Sequence, residues 1–464
     1  MDARRLALLP VLAFSVGFCS LNPAAAQAAA QAADPRTLAR NFIVAFFAKD
    51  PGYRAMMTDA MKSAFSDVQA AATADQLVAR CGSFSGLGKP MVEAKSGTSI
   101  VSVRGNFDRY YADFRVTIGG TGKDAGKVAG FFVVRLENRA KWDLPPYAKS
   151  GSWTDEAASV DTGGWPLPGT LSIPKGKGPF PAVVLVHGSG PNDRDETIGP
   201  NKVFADIALG LASRGIAVLR YDKRTLVHAA RLSAEAGDID VRSETVDDAV
   251  AALALLSRDP RVDSRRIIIV GHSLGAMLGP MIAAAVASGG SGIHPAALVL
   301  VAPNARPLED VIVDQVRYLS MLQPGDDEQK SAGIAELVAA AARVKALGPA
   351  TGDDDPEPSE LPLAIPAAWW RSLAGYNPVT VAQGLGLPLL VIHGSRDYQV
   401  MSSEALAWRS GLSGQSNATT MLLPNLNHLM MRGSGPANPA EYDTPGHVDA
   451  AVIEAIAGFV RRLK

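Results

Sequence analysis

At 464 residues the chain is long enough for two or three domains of ordinary size. Apolar residues (47%) and charged residues (20%) stand in the proportion of a folded globular protein, which excludes a largely disordered chain. Forty-five basic against 46 acidic residues exclude a nucleic-acid-binding surface spread over the whole protein, and two cysteines are too few for a disulfide scaffold or a cysteine-built metal site.

The N-terminus reads as an export signal. Arg4 and Arg5 precede an apolar stretch from Leu6 to Leu21, followed by the small-residue run Ala24-Ala25-Ala26. Cleavage after Ala26 would leave a periplasmic or secreted protein without stable membrane insertion. The alternatives are a membrane anchor and a lipoprotein signal at Cys19. The apolar run falls short of the ~20 residues that span a bilayer, and Phe18 is large where a lipoprotein signal needs a small residue. Once Cys19 is removed, Cys81 remains alone and reads as a small buried hydrophobe.

After an Ala/Gln-rich lead-in, Asp34-Pro35 predicts a helix start, with Asp34 at the N-cap. Phe42, Val44, Phe46 and Phe47 fall in that helix, and Ala55–Phe65 and Val68–Arg80 predict two more. The period then changes to alternation at Ile100–Arg104, Tyr111–Ile118 and Val128–Leu136, which predicts strands. Helices followed by strands make residues 34–150 a small α+β domain. In element order it resembles NTF2-like domains, and more closely a subset found ahead of hydrolase domains. No convergent acid or histidine set marks a site in it.

From about residue 155 to 464 strands alternate with helices. Strands are expected at Gly169–Pro174, Phe180–Val186, Ile216–Tyr221, Ile267–Val270 and Ala297–Val301. Helices are expected at Val203–Ser213, Glu244–Ser257 and Met277–Ala287. Continuous apolar strands of this kind predict a mostly parallel sheet covered on both faces. The alternation stops over about 304–385, where helical stretches (Asp310–Leu322, Ile334–Leu347), an acidic loop with Asp353-Asp354-Asp355, and Trp369, Trp370 and Tyr376 predict a cap. Those three aromatics and Asp193 are candidates for the substrate pocket. The sheet pattern resumes at Pro388–Ile392 and Thr420–Leu423, and a helix over Val448–Leu463 closes the chain.

Four short segments carry the chemistry. Gly271-His272-Ser273-Leu274-Gly275 lies between a strand and a helix, the placement a nucleophile elbow requires. Its glycines are expected because larger side chains there would collide. His187-Gly188-Ser189-Gly190-Pro191 follows a buried strand, so the Ser189 N–H, with Gly190 as runner-up, is the candidate to form an oxyanion hole with the N–H of Leu274. His187 itself reads as structural. His393-Gly394-Ser395-Arg396-Asp397 and Asn425-Leu426-Asn427-His428 each follow a later strand. Together they give the order Ser273, Asp397, His428: nucleophile, orienting acid and general base. The rival acid is Asp310 and the rival base His447. Asp193, Arg194, Asp195 and Asp222 to Arg224 crowd two loops and read as an ion-pair network, with binding of a polar substrate end as the alternative.

Residues 155–464 resemble the α/β-hydrolase superfamily, and most closely exported bacterial esterases grouped with serine aminopeptidase-like hydrolases. The resemblance rests on Leu185-Val186-His187-Gly188-Ser189-Gly190, Gly271–Gly275, His393–Asp397 and Asn425–His428. Pro191–Glu196 and Arg220–Arg224 fit a narrower subgroup with an NTF2-like N-terminal domain. The family implies serine-dependent hydrolysis through an acyl-enzyme, with no metal or organic cofactor. The expected partner is a small-molecule ester. A serine aminopeptidase-type exopeptidase acting on peptides, its free amino group held by Asp193, Asp195 and Glu196, is the alternative. A non-catalytic binding protein is the second. Oligomeric state stays open.

Overall fold

The computed structural model describes residues 34–463 apart from 96, 235–238, 290–291, 323–324, 350–351 and 353–354. The expected export signal and the residues Asp353 and Asp354 lie outside the described residues. The chain forms two compact units, one ending at Lys141 and the other beginning at Trp142.

The first unit holds helices α1 (Pro35–Phe47), α2 (Asp59–Ala64) and α3 (Asp67–Cys81) and strands β1 (Phe84–Leu87), β2 (Met91–Lys95), β3 (Thr98–Phe107), β4 (Tyr110–Gly119) and β5 (Val128–Asn138). Pro35 opens α1 as expected, but the Asp34 side chain accepts from the Thr37 hydroxyl rather than capping the helix backbone. The helix expected over Ala55–Phe65 is broken. A 3₁₀ segment runs Pro51–Met56, and Thr58 then caps α2 through the Met61 N–H. The start of α3 is fixed by a reciprocal capping box between Ser66 and Gln69. The sheet is antiparallel in the order β1-β3-β4-β5, with β2 also paired to β3. Burial alternates along β3 and β4, so one face of the sheet is covered. Phe42 and Phe46 of α1 pack on Phe131 of β5, at ring separations of 5.3 and 5.1 Å. Cys81 is buried in the same core.

The second unit is built on an eight-stranded sheet. Its strands are β6 (Trp153–Asp161), β7 (Pro166–Pro174), β8 (Phe180–Val186), β11 (Ala217–Tyr221), β12 (Val262–His272), β13 (Ala297–Val301), β14 (Leu389–Gly394) and β15 (Ala418–Leu423), and β9 (Thr197–Ile198) and β10 (Asn201–Lys202) form a separate two-stranded ribbon. The order is β15-β14-β13-β12-β8-β11-β7-β6. Strands from β15 to β11 are parallel, and β7 and β6 are antiparallel to their neighbours. The strand expected at Gly169–Pro174 is β7, which starts earlier at Pro166, whereas the edge strand β6 is not among those expected, because its mostly exposed residues lack an apolar run.

The central strands carry continuous apolar runs, such as Val183–Val186, Ile267–Val270 and Ala297–Val301, because helices cover both faces. Val184, Leu219, Ile269 and Leu300 face α7 (Asp247–Ser257) and α8 (Leu274–Ser288). The alternate residues Val183, Val218, Ile268 and Val299 face α4 (Val203–Ala212) and α14 (Ala450–Arg462). Two short helices, α5 (Arg224–Val227) and α6 (Ala229–Ala234), follow β11, and α13 (Ser402–Gly411) follows β14. Between β13 and β14 lie α9 (Leu308–Leu322), α10 (Asp327–Lys345), α11 (Ala367–Arg371) and α12 (Pro378–Leu385), the expected helical insertion. One expected helix changes type. Glu244–Ser257 is not uniformly α-helical, since a π-helical turn over Arg242–Val246 precedes α7.

Candidate active site

Every chemical segment singled out in the sequence emerges at the carboxyl edge of a parallel strand: His187 after β8, Ser273 after β12, Asp397 after β14 and His428 after β15. Open parallel sheets bind their ligands at that edge.

Ser273 sits between β12 and α8 at φ 52°, ψ −118°, a conformation disfavoured for any residue with a side chain. Packing enforces it. A Cβ on Gly275 would lie 2.2 Å from the Val186 carbonyl oxygen and 2.5 Å from that of His187, and one on Gly271 would lie 2.3 Å from the Gly275 carbonyl. Neither position tolerates a side chain, and both are glycine. The elbow thus drives the nucleophile candidate up at the start of a 15-residue helix, whose positive dipole end favours negative charge there.

The His187–Pro191 loop closes on the elbow. A Cβ on Gly188 would approach Cβ of Ser273 at 3.2 Å. The Leu274 N–H is the first of its helix and has no intrahelical acceptor. Neither it nor the Ser189 N–H donates to a backbone acceptor among the described residues. Two uncommitted amides beside a serine are what an oxyanion hole requires.

The structure brings Asp397 and His428 together. His428 Nδ1 lies 2.7 Å from Asp397 Oδ2, with both side chains buried. The other oxygen of Asp397 accepts the backbone N–H groups of Gln399 and Val400, each at 2.9 Å. The carboxylate is therefore held on both sides. Asn427 fixes the histidine loop: its side-chain oxygen accepts the N–H groups of Leu429 and Met431, and its side-chain amide donates to Glu441 at 3.0 Å. Neither rival takes a place in this arrangement. Asp310 lies in α9 and pairs with Lys345 at 2.6 Å, and His447 is engaged by Asp206 and Asp143.

A cavity of about 380 Å³ opens over Ser273, with Ser189 and Leu274 also in its wall. Its walls are largely apolar: Leu308, Val311 and Ile312 from α9, Leu363, Ile365 and Trp369 from the rest of the insertion. Of the four pocket candidates, only Trp369 lines it. Trp370 is buried behind Trp369, ring to ring at 5.1 Å. Tyr376 donates to the Met277 carbonyl and ties α8 to the insertion. Asp193 is an intraloop acceptor, taking N–H groups from Asp195 and Thr197 and the Thr197 hydroxyl. A short polar side chain at the head of a loop commonly closes its own turn in this way.

Residues 183–442 match the Alpha/beta hydrolase family. The chain belongs to that family. Esterase EstD of Thermotoga maritima is 41% identical over 335 residues, covering 72% of this hydrolase and 74% of its own chain. Among solved structures, Est1E from Butyrivibrio proteoclasticus aligns at 17% identity over 66% of this hydrolase and 98% of its own chain, with a TM-score of 0.40. A puromycin-hydrolysing peptidase of Mycobacterium tuberculosis aligns at 17% identity over 82% of this hydrolase and 48% of its own chain, with a TM-score of 0.41. Both superpositions are loose.

The charged loops of this hydrolase form an ion-pair network. Arg194 pairs with Asp222, Asp195 with Lys202 and Arg220, and Arg224 with Asp248. Lys223, itself buried, pairs with Glu244 at 2.8 Å and donates to the Gly188 carbonyl at 3.1 Å. Glu244 reaches the cavity wall and accepts the Trp369 indole N–H at 2.5 Å. Sequence reasoning missed Glu244, because its partners lie 21 and 125 positions away in the chain. Its place in a π-helical turn, a common marker of functional positions, is equally invisible before the fold is known. Among the described residues no group of acidic, histidine or cysteine side chains is arranged to hold a metal ion, and no helix is long and apolar enough to cross a membrane.

Proposed function

We propose that this hydrolase cleaves carboxylic esters through an acyl-enzyme formed on Ser273. The observation that carries the reading is the buried His428–Asp397 contact at 2.7 Å, at the same sheet edge as a serine held in the strained elbow conformation. Asp397 holds His428 with its proton on Nδ1, which leaves Nε2 free as a base. His428 takes the Ser273 proton as the hydroxyl oxygen adds to the ester carbonyl. The Ser189 and Leu274 amides receive the developing oxyanion. The proton then passes from His428 to the departing alcohol, and water repeats the sequence to release the acid.

The apolar cavity suits a neutral acyl group. The name of the Thermotoga relative supports ester over amide cleavage. The exopeptidase alternative needs an uncommitted carboxylate for a free amino group. Asp195 and Glu196 are engaged by cations, and Asp193 by its own loop. Arg4-Arg5, the apolar stretch and Ala24–Ala26 support export, and the element order of residues 34–141 supports an NTF2-like first domain. The test is hydrolysis of p-nitrophenyl acetate, butyrate and octanoate by the wild type and by Ser273→Ala. Activity lost in the variant is expected. Full activity in Ser273→Ala, or turnover of aminoacyl amides alone, overturns the reading.

A further inference from the structure

His272 immediately precedes the proposed nucleophile, and both its ring nitrogens are engaged. Nε2 lies 3.0 Å from the His428 backbone oxygen, and Nδ1 lies 2.9 Å from Glu196 Oε2. Nδ1 and Oε2 meet as a close ion-pair contact rather than an aligned hydrogen bond, neither has any other polar partner, and both residues are buried. The second oxygen of Glu196 accepts the Gly188 N–H at 2.8 Å. One carboxylate therefore touches the oxyanion loop and the residue before the nucleophile. Through His272 it also reaches the backbone of the base. Glu196 holds φ 47°, an uncommon conformation for a residue with a side chain.

Proton counting places a proton between the two groups, and their pKa directions place it on the imidazole. A carbonyl oxygen only accepts, so Nε2 carries a hydrogen. Nδ1 of a neutral ring would then be a bare nitrogen 2.9 Å from a carboxylate oxygen, a repulsive contact. A second proton resolves it. Burial by itself lowers the pKa of His272, but the charge and hydrogen bond of Glu196, with the His428 carbonyl, outweigh it and hold the imidazole above its ordinary value. Burial raises Glu196, and His272, together with His187 and the Gly188 N–H, more than reverses this. The titratable groups facing the pair are Asp397 and His428 on the His272 side and His187 on the Glu196 side.

We propose that Glu196 and His272 form a buried carboxylate–imidazolium pair that positions the oxyanion loop against the nucleophile elbow, making Glu196 a positioning residue for the reaction. The inference rests on the Ser273 reading above. Without Glu196 the Gly188 amide loses its acceptor, and the neighbouring Ser189 N–H is no longer held on the oxyanion. The effect therefore falls on the transition state rather than on substrate binding.

The experiment compares full-length wild type, Glu196→Ala, Glu196→Gln and Ser273→Ala on p-nitrophenyl butyrate, with rates per folded enzyme and melting temperatures for each. Gln keeps both bonds without the charge: its oxygen accepts from Gly188, and its amide donates to Nδ1 of a neutral His272. In Glu196→Ala, kcat is expected to fall by about 30-fold or more, short of the ~10²–10³ for deleting an oxyanion donor, with KM within about threefold. Glu196→Gln is expected to restore kcat to within about fivefold of wild type. Nitrogen-15 spectra, with the His272 signals assigned by their loss in His272→Gln, are expected to show both ring nitrogens protonated at pH 7 in wild type and one bare nitrogen in Glu196→Gln. The proposal is overturned by a Glu196→Ala kcat within about threefold of wild type, or by a loss confined to KM. A folded Glu196→Gln as defective as Glu196→Ala, or a neutral His272 in wild type, also overturns it. If Glu196→Ala does not fold, Glu196→Gln and the spectrum still decide. Activity surviving in Ser273→Ala would fail the serine reading itself. A silent Ser273→Ala beside a fully active Glu196→Ala would fail only the positioning role.

Discussion

Asp397→Asn is the sharpest perturbation of the proposed mechanism, because the surrounding backbone dictates which way the new amide points. Oδ1 of Asp397 accepts two N–H groups, from Gln399 and Val400, at 2.9 Å each. In the variant that position must remain an oxygen, since an amide nitrogen there would face two donors. The NH₂ group is then forced toward His428 Nδ1, now 2.7 Å from Oδ2. A donor at that place requires the histidine to accept on Nδ1, so its proton moves to Nε2, the nitrogen that should take the Ser273 proton. The side chain stays nearly isosteric and keeps its loop bonds, so folding is little changed while the base is disabled. By analogy with the same substitution in a serine protease triad, kcat should fall by about 10⁴-fold, roughly 5.4 kcal/mol of transition-state stabilisation. The assay is kcat and KM for p-nitrophenyl butyrate at pH 7.5, with melting temperature as the control for folding. A loss of less than about 100-fold with an unchanged melting temperature would refute this tautomer argument.

Other changes probe the cavity and the core. Trp369→Leu deepens the apolar wall, and the octanoate-to-acetate ratio of kcat/KM should rise by about tenfold, the scale of a methylene or two in such a pocket; an unchanged ratio would exclude Trp369 from acyl contact. Arg224→Met leaves Asp248 buried without its cation and should destabilise the fold by about 3–5 kcal/mol in urea unfolding; a change under about 1 kcal/mol would mean that Thr162, which also donates to Asp248, suffices. Burial lowers His187 to about 4, with Glu196 opposing and Lys223 adding to the effect. Its unfolded value is near 6.5, so the unfolded chain binds the extra proton first. The stability held above pH 6.5 is therefore lost as pH falls toward 4. His187→Gln should show a shallower fall in melting temperature across that window, and an equally steep one would refute the assignment.

Local chemistry alone made much of this protein legible. Phe180–Val186 and Ala297–Val301 are strands with the bounds expected from their apolar runs, because a strand covered on both faces leaves no polar position to blur its ends. The placement of Ser273, Asp397 and His428 at one sheet edge was readable for a related reason. Each lies in the loop after a parallel strand, and parallel strands deliver their carboxyl-terminal loops to one edge. The elbow glycines announced a backbone too close for side chains, and the Val186 and His187 carbonyls supply the closeness.

Only the tertiary structure decided which charges cancel and which side chains face the cavity. Trp369 and Trp370 are neighbours in sequence, yet the rotation of about 100° between adjacent helical residues sends the first to the cavity and buries the second behind it. Glu196 looked like one more acid on a charged loop until the fold set it between Gly188 and His272. Glu244 carried no signal at all, since Lys223 and Trp369 reach it from β11's loop and from the insertion. Short-range patterns encode elements and their order. Ion pairs and cavity walls join residues distant in the chain, and their geometry exists only once the sheet has brought those loops together.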